Sequence, residues 1–205
     1  MEITELRVYT LRPPLPGDLG DARAAIDERY WVVVELDTDA GLTGTGWIGT
    51  WTIPDLYARY LRGFEDLLVG ADPLAVEARR RELRERSLYY PGEVGFAALP
   101  RSAVDVALWD LKAKAAGGPL YALLGGDGSP VPAYCSRLDA AVPTDDIGDH
   151  HARYAEAGFT AFKTKVGGRP LEEDVRRVGE VRAAIGSGAD LFVDANQSWT
   201  PSEAV

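Results

Sequence analysis

From Val131 onward, strand-like runs recur at an interval of about 30 residues, the length of one strand–helix–strand unit. They begin near Val131 (VPAYC), Thr160 (TAFKTKV) and Asp190 (DLFVDAN), and helical patterns fill Asp145 to Ala157 and Leu171 to Ile185 between them. Repeated units of this kind with buried strands imply a parallel sheet. No other feature narrows the fold as much, because parallel neighbours need a long crossover and cannot come from hairpins. Just upstream, Gly125-Gly126-Asp127-Gly128-Ser129-Pro130 gathers chain-breaking residues and marks the best domain boundary in the chain.

Before that boundary the pattern differs. Ile3 to Leu11, Arg29 to Asp37 (RYWVVVELD) and Leu42 to Ile48 read as strands, with turn chemistry at Thr38-Asp39-Ala40-Gly41. Together they make a three-stranded antiparallel meander. The polar loop from Pro13 to Asp27 is longer than a hairpin needs, which is common for functional loops. Three helices follow. Thr52 is placed to cap the first, with Pro54 in its opening turn and Leu56, Tyr60, Leu61, Phe64, Leu67 and Leu68 at helical spacing. Asp72-Pro73 opens the second, where the arginines between Arg79 and Arg86 stand at pairing distance from Glu77, Glu82 and Glu85 and read as a solvated face. The third spans about Arg101 to Ala116 and stops at Gly117-Gly118-Pro119. Ala103, Ala107 and Asp110 share one side of it and Val104, Leu108 and Leu111 the neighbouring side, a composition that suits close burial.

Composition narrows the function. The 205 residues carry 22 basic and 32 acidic side chains, a net charge of −10 that repels phosphate backbones and excludes general nucleic-acid binding. A single cysteine, Cys135, permits neither an intrachain disulfide nor a cysteine-type zinc site. The charged start of the chain is not a signal peptide, and no apolar run is long enough for a membrane span, so a cytoplasmic protein is expected.

Lys163 and Lys165 stand two apart at the end of one expected strand, and Asp194 and Asn196 two apart at the end of the next. Each pair therefore shares a face. In α/β sheets ligands bind beyond the carboxyl ends of the strands, where these side chains would meet. The plainer reading is a buried salt bridge or a solvent-facing edge. Val166-Gly167-Gly168-Arg169 reads as a turn rather than a phosphate loop. His150 and His151, inside an expected helix, read as exposed or helix-packing residues, and Asp105 and Asp110 as structural hydrogen-bonding groups. Trp47, Trp51 and Trp199 are core or interface candidates, with those near loops able to line a pocket.

Longer motifs then point to a family. Ser102-Ala103-Val104-Asp105-Val106-Ala107-Leu108-Trp109-Asp110-Leu111-Lys112, followed by Pro119-Leu120-Tyr121-Ala122-Leu123-Leu124-Gly125-Gly126, resembles the signature of the mandelate racemase and muconate lactonizing branch of the enolase superfamily. Phe162-Lys163-Thr164-Lys165-Val166-Gly167 resembles its Lys-x-Lys motif, and Val193-Asp194-Ala195-Asn196-Gln197 its first metal-ligand strand. The resemblance implies an α+β capping domain over residues 1–125, an antiparallel meander plus helices. It implies that residues 131–205 begin a modified (β/α) TIM-type barrel and hold its first three strands. It implies Lys165 as the base that removes a proton α to a carboxylate, Lys163 as its assistant and carboxylate contact, and Asp194 as a Mg²⁺ ligand. Asn196 and Trp47 would lie nearby, touching either the substrate or the residues that hold it, and the Pro13–Asp27 and Gly46–Trp51 loops would supply specificity. Removing such a proton leaves an enediolate with two negative oxygens, which Mg²⁺ and cationic side chains stabilise.

The implied reaction is that of a sugar-acid dehydratase or racemase acting on a small carboxylic acid. The alternatives are a muconate-type cycloisomerase, an epimerase of dipeptides or N-acylamino acids, or a non-catalytic binding or assembly module. The full-length protein is expected to be a homo-oligomer. A complete barrel takes about 250 residues, and Thr200-Pro201-Ser202-Glu203 reads as the capped start of a helix. The barrel is therefore expected to be incomplete in these 205 residues, with further metal ligands and the second acid/base outside them and the chain alone inactive.

Overall fold

In the computed structural model, which describes residues 1–15, 17, 19–88 and 94–205, the alternation of the first segments produces the expected meander. β1 (Ile3–Leu11), β2 (Tyr30–Thr38) and β3 (Thr43–Thr50) form an antiparallel sheet in that order. Side chains alternate across a strand, so Val32, Val34 and Leu36 of β2 share one face, and all three are fully buried. Burying each such side chain contributes about 1.5–3 kcal/mol.

The helices pack on that face. The single helix expected from Thr52 to Leu68 is divided into α1 (Pro54–Arg62) and α2 (Glu65–Leu68), with Gly63 between them. Thr52 is not the cap. Ile53 holds that position in a left-handed conformation (φ 50°) with no side-chain capping bond, while the Thr50 hydroxyl donates to the Thr52 carbonyl. α3 (Val76–Leu88) begins later than Asp72-Pro73, because the Asp72 carboxylate accepts the Leu74 amide and holds a turn there. Its arginines pair as expected, Arg79 with Glu82 at 2.8 Å and Arg80 with Glu77 at 3.6 Å. α4 (Ala98–Ala115) buries Ala103, Val104, Ala107, Leu108 and Leu111, and α5 (Leu120–Leu123) follows after the glycine stop.

The closeness of α4 to β3 was not evident from the sequence. A Cβ on Gly46 would lie 1.9 Å from the Ala103 carbonyl oxygen, and one on Gly44 2.2 Å from that of Ala107. Backbone atoms cannot swing aside as a side chain can. Asp110 bridges the same contact, its Oδ2 accepting the Thr45 amide at 2.9 Å and Lys114 Nζ at 2.7 Å. Gly46→Ala should therefore destabilise the protein by about 1–3 kcal/mol, the usual cost of overpacking. The readout is a lowered urea midpoint at constant slope. An unshifted midpoint would mean that helix and strand do not meet this closely in solution.

The chain divides into two compact units, Met1–Pro13 with Glu28–Ser129, and Pro14–Asp27 with Pro130–Val205. Segment 14–27 belongs to the second of these units. In that unit β4 (Cys135–Ser136), β5 (Ala161–Lys165) and β6 (Asp190–Asp194) form a parallel sheet in chain order, connected by α6 (Ile147–Glu156) and α7 (Leu171–Ile185). The strand expected from Val131 shrinks to two residues. Pro130 and Pro132 have no amide to give to a ladder, which explains why pairing starts only at Cys135. Val142, Ile147 and Val181 form a small core under α6 and α7, and the fully buried Arg177 sits beside it. At Thr200 a hydrogen-bonded turn replaces the expected helix. Glu203 Oε2 does accept the Thr200 amide at 2.8 Å, as in a capping box. Among the described residues no helix is long and apolar enough to cross a membrane.

Candidate active site

β5 turns Lys163 and Lys165 to one face, and the parallel register sets Lys165 directly beside Asp194 of β6. Both ammonium groups converge on one oxygen. Lys165 Nζ lies 2.8 Å and Lys163 Nζ 3.1 Å from Asp194 Oδ2. The Lys165 side chain is only 5% exposed, against 20% for Lys163 and 28% for Asp194. Lys163 Nζ also lies 5.6 Å from the Tyr134 ring centre.

The other oxygen of Asp194 accepts the Asn196 amide at 3.0 Å. The Lys165 hydrogen bond, then the Asn196 amide and, more weakly, Lys163 hold the Asp194 carboxyl far below the usual carboxylate range, against the opposing effect of burial. The tight turn after β6 puts Asn196 and Gln197 at positive φ (47° and 63°), a conformation that Asn tolerates better than most residues. Asn196 Oδ1 is buried and has no hydrogen-bond partner among the described residues. Three sequence candidates, Lys163, Lys165 and Asp194, are thus brought into direct contact, with Asn196 joined through its backbone.

The residues around this cluster sort differently. Gly167 spends its amide on Asp174 Oδ2 at 2.6 Å, and a carboxylate in that place would repel phosphate, in keeping with a simple turn. Segment 14–27 packs at the same end of β5. Gly20 exchanges backbone hydrogen bonds with Leu138 and Ala140, and a Cβ on Gly168 would meet the Ala22 carbonyl at 2.6 Å. Pro16 and Asp18 of that segment lie outside the described residues. Trp47 lies in the other unit. It is 56% exposed and packs edge-on against Trp31 at 4.5 Å. Gly46 to Thr50 belongs to β3 rather than to a loop, so only Trp51 of the Gly46–Trp51 stretch lies beyond the strand. Trp199 lines a cavity with Gly167, Arg169, Asp174 and Ser198.

His150 and His151 are both buried on α6, not exposed. His151 Nε2 lies 2.9 Å from the Asp139 carboxylate. Burial, then the neighbouring His151, pushes the His150 pKa below its ordinary value. The folded state therefore favours neutral His150, and its contribution to stability is complete above the unfolded pKa of about 6.5 and declines as pH falls below it. His150→Phe should flatten the loss of thermal stability on acidification below that value. An equally steep loss in the variant would show that other groups control it. Asp110 is structural, as expected. Asp105 is half-buried with a raised pKa, caused chiefly by burial, and its Oδ1 has no hydrogen-bond partner among the described residues.

Asp194 is the residue here suited to a hard divalent cation, being an ionised oxygen donor at the mouth of a strand end. The buried, unpartnered Asn196 oxygen lies two residues away. Among the described residues no group of three or more His, Cys, Asp or Glu side chains converges to hold a metal, so the fit is that of one ligand and not of a full shell.

Comparison with known proteins gives the same assignment along most of the chain. The mandelate racemase / muconate lactonizing enzyme N-terminal domain matches residues 3–125, and the enolase C-terminal domain-like family matches residues 146–205. The chain is 36% identical over 209 residues to a 3,6-anhydro-alpha-L-galactonate cycloisomerase of Streptomyces coelicolor, covering 99% of this chain and 57% of the relative. It is 33% identical over 209 residues to a D-galactarolactone cycloisomerase of Agrobacterium fabrum, covering 100% of this chain and 54% of the relative. A racemase from Streptomyces coelicolor, crystallised with bound magnesium, superposes with a TM-score of 0.89 at 37% identity, covering 97% of this chain and 56% of that one. The chain thus spans about half the length of the curated relatives it matches. Those relatives include cycloisomerases, dehydratases and epimerases. With both domain families and these relatives in agreement, the chain belongs to the mandelate racemase and muconate lactonizing enzyme branch of the enolase superfamily.

Proposed function

We propose that the protein abstracts the proton α to the carboxylate of a small sugar acid, leading to dehydration or racemisation. The observation that carries this reading is the convergence of two lysines on one strand-end carboxylate, with Lys165 almost wholly buried. Lys163, the more exposed of the two lysines, brings a positive charge to the mouth of this cluster, where it attracts an anionic substrate.

In this reading Lys165 Nζ, as the free amine, takes the α-proton. The C–H electron pair moves into the substrate carboxylate and generates an enediolate. Lys163, the more exposed of the two, hydrogen-bonds a substrate carboxylate oxygen. Asp194, oriented by the Asn196 amide, would serve as one ligand of Mg²⁺. Bound Mg²⁺ would supply the positive charge that stabilises both enediolate oxygens. Asn196 Oδ1, which has no hydrogen-bond partner among the described residues, is available to substrate, and segment 14–27, packed at the same end of β5, contributes to substrate choice. A second reading is cycloisomerisation of a sugar-derived acid, favoured by the names of the two relatives above.

The test uses the protein as its gene encodes it, with Mg²⁺ in deuterated water and a panel of aldonates, aldarates, their lactones and dipeptides. One acid sugar should take up a single deuterium, at its α carbon on racemisation and at the β carbon of the keto product on dehydration, and product analysis then separates dehydration, racemisation and ring opening or closure. Exchange confined to dipeptides would replace the sugar-acid assignment by epimerisation of amino-acid derivatives. The absence of both deuterium uptake and product formation with all of them would favour a binding module.

A further inference from the structure

The β4–β5 ladder ends unusually early. Its pairing covers Cys135 with Phe162 and Ser136 with Lys163, so among the described residues the last residues of β5 have no ladder partner on that side. A side chain takes over. Asp139 is 1% exposed, and its Oδ1 accepts the Lys165 amide at 3.0 Å. Its Oδ2 accepts the Thr164 hydroxyl at 2.9 Å and His151 Nε2 at 2.9 Å. Thr164 and His151 are themselves fully buried. Here a carboxylate stands where a strand carbonyl would otherwise be. Charge-assisted bonds of this kind are roughly twice as strong as neutral ones. The backbone on either side of Asp139 is the stretch to which Gly20 is hydrogen-bonded, so the same short turn carries segment 14–27.

We propose that Asp139 is a positioning residue for Lys165, its buried carboxylate extending the β4–β5 ladder and fixing the strand end from which the Lys165 side chain departs. The proposal rests on the reading of Lys165 as the proton-abstracting group. Asp139 meets Lys165 at its backbone amide. It acts through the backbone, and it ties the placement of the base to the turn that anchors segment 14–27. A displacement of about 1 Å at a reacting group can cost on the order of a hundredfold in rate.

In the protein as its gene encodes it, Asp139→Asn should lower kcat for α-proton exchange about 10- to 100-fold, with KM little changed. By amide hydrogen exchange the Lys165 amide should lose its protection, while the Val166 amide, bonded to the Asp194 carbonyl on the other side of β5, keeps its own. Thr164→Val keeps the side-chain volume but removes one donor to Asp139, and should lower kcat about fivefold to tenfold. Thr164→Ser restores the hydroxyl and should recover most of that loss, which a purely volumetric role would not allow. If Asp139→Asn fails to fold, the Thr164 pair decides alone. An unchanged kcat in folded Asp139→Asn, or equal kcat in Thr164→Val and Thr164→Ser, overturns the proposal. Lys165→Ala separates the two ideas: retained exchange there removes the base reading, whereas its loss together with normal exchange in Asp139→Asn removes only the role of Asp139.

Discussion

Replacing Lys165 by alanine should reduce α-proton exchange roughly a thousandfold or more, within the range that a positioned general base contributes. Lys165 is the more buried of the two lysines, and its Nζ makes the shorter contact to Asp194. Lys163 is four times as exposed as Lys165 at the side chain, 20% against 5%, and has the Tyr134 ring beside it, which suits a group that meets an incoming carboxylate. The fold should survive the substitution. The bond that anchors this strand end uses the Lys165 backbone amide, and Asp194 keeps the Asn196 amide and Lys163 as partners. Unchanged circular dichroism beside an almost silent exchange signal is the expected pair of results. Lys163→Ala should act differently, raising KM for the acid more than it lowers kcat. Exchange in Lys165→Ala at more than about a tenth of the parent rate would be too fast for a protein that has lost its base, and another group would have to be found.

Elements whose local pattern agrees with their surroundings could be read directly. α7 begins and ends where its periodicity places it, and β5 and β6 fall within their β-branched and aromatic runs. The juxtaposition of Lys163, Lys165 and Asp194 followed from strand alternation together with the parallel order of neighbouring strands, because a period of two fixes which side chains share a face and the parallel order puts the strand ends together. What remained hidden depends on contacts between distant segments. Gly44 and Gly46 look like poor strand residues until α4 is seen lying on them. Asp139 sits in an irregular stretch with no period to give it away, and its partners His151 and Thr164 come from two other elements. A buried aspartate beside a buried histidine has no short-range signature. The one available hint was the pair of prolines before Cys135, which shorten β4 and leave part of β5 in need of another partner.

The largest loss of stability should come from Arg177→Met. Arg177 is fully buried on α7 and reaches back into the turn that follows β4. Its guanidinium donates to the Val142 carbonyl at 2.7 Å, the Asp139 carbonyl at 3.0 Å and the Thr144 hydroxyl at 3.4 Å. Two effects compete on substitution. Burial depresses the Arg177 pKa, so an apolar side chain relieves a desolvation penalty. Against that, two carbonyls and a hydroxyl lose their donor, and the buried Asp139 carboxylate loses a nearby compensating cation. Removing one member of a buried charged network typically costs about 3–5 kcal/mol, so the second effect dominates. For a chain of this size that is a fall in Tm of roughly 10 °C. Arg177→Lys should recover part of the loss, since one ammonium restores the charge but cannot reach all three acceptors. Calorimetry of the two variants provides the check. A fall of less than about 1 kcal/mol in Arg177→Met would mean that desolvation relief cancels the lost hydrogen bonds, as it does where buried ion pairs give way to well-packed apolar residues. The segment from Asp139 to Thr144 would then be held by its backbone and by the link to Gly20, and not from α7.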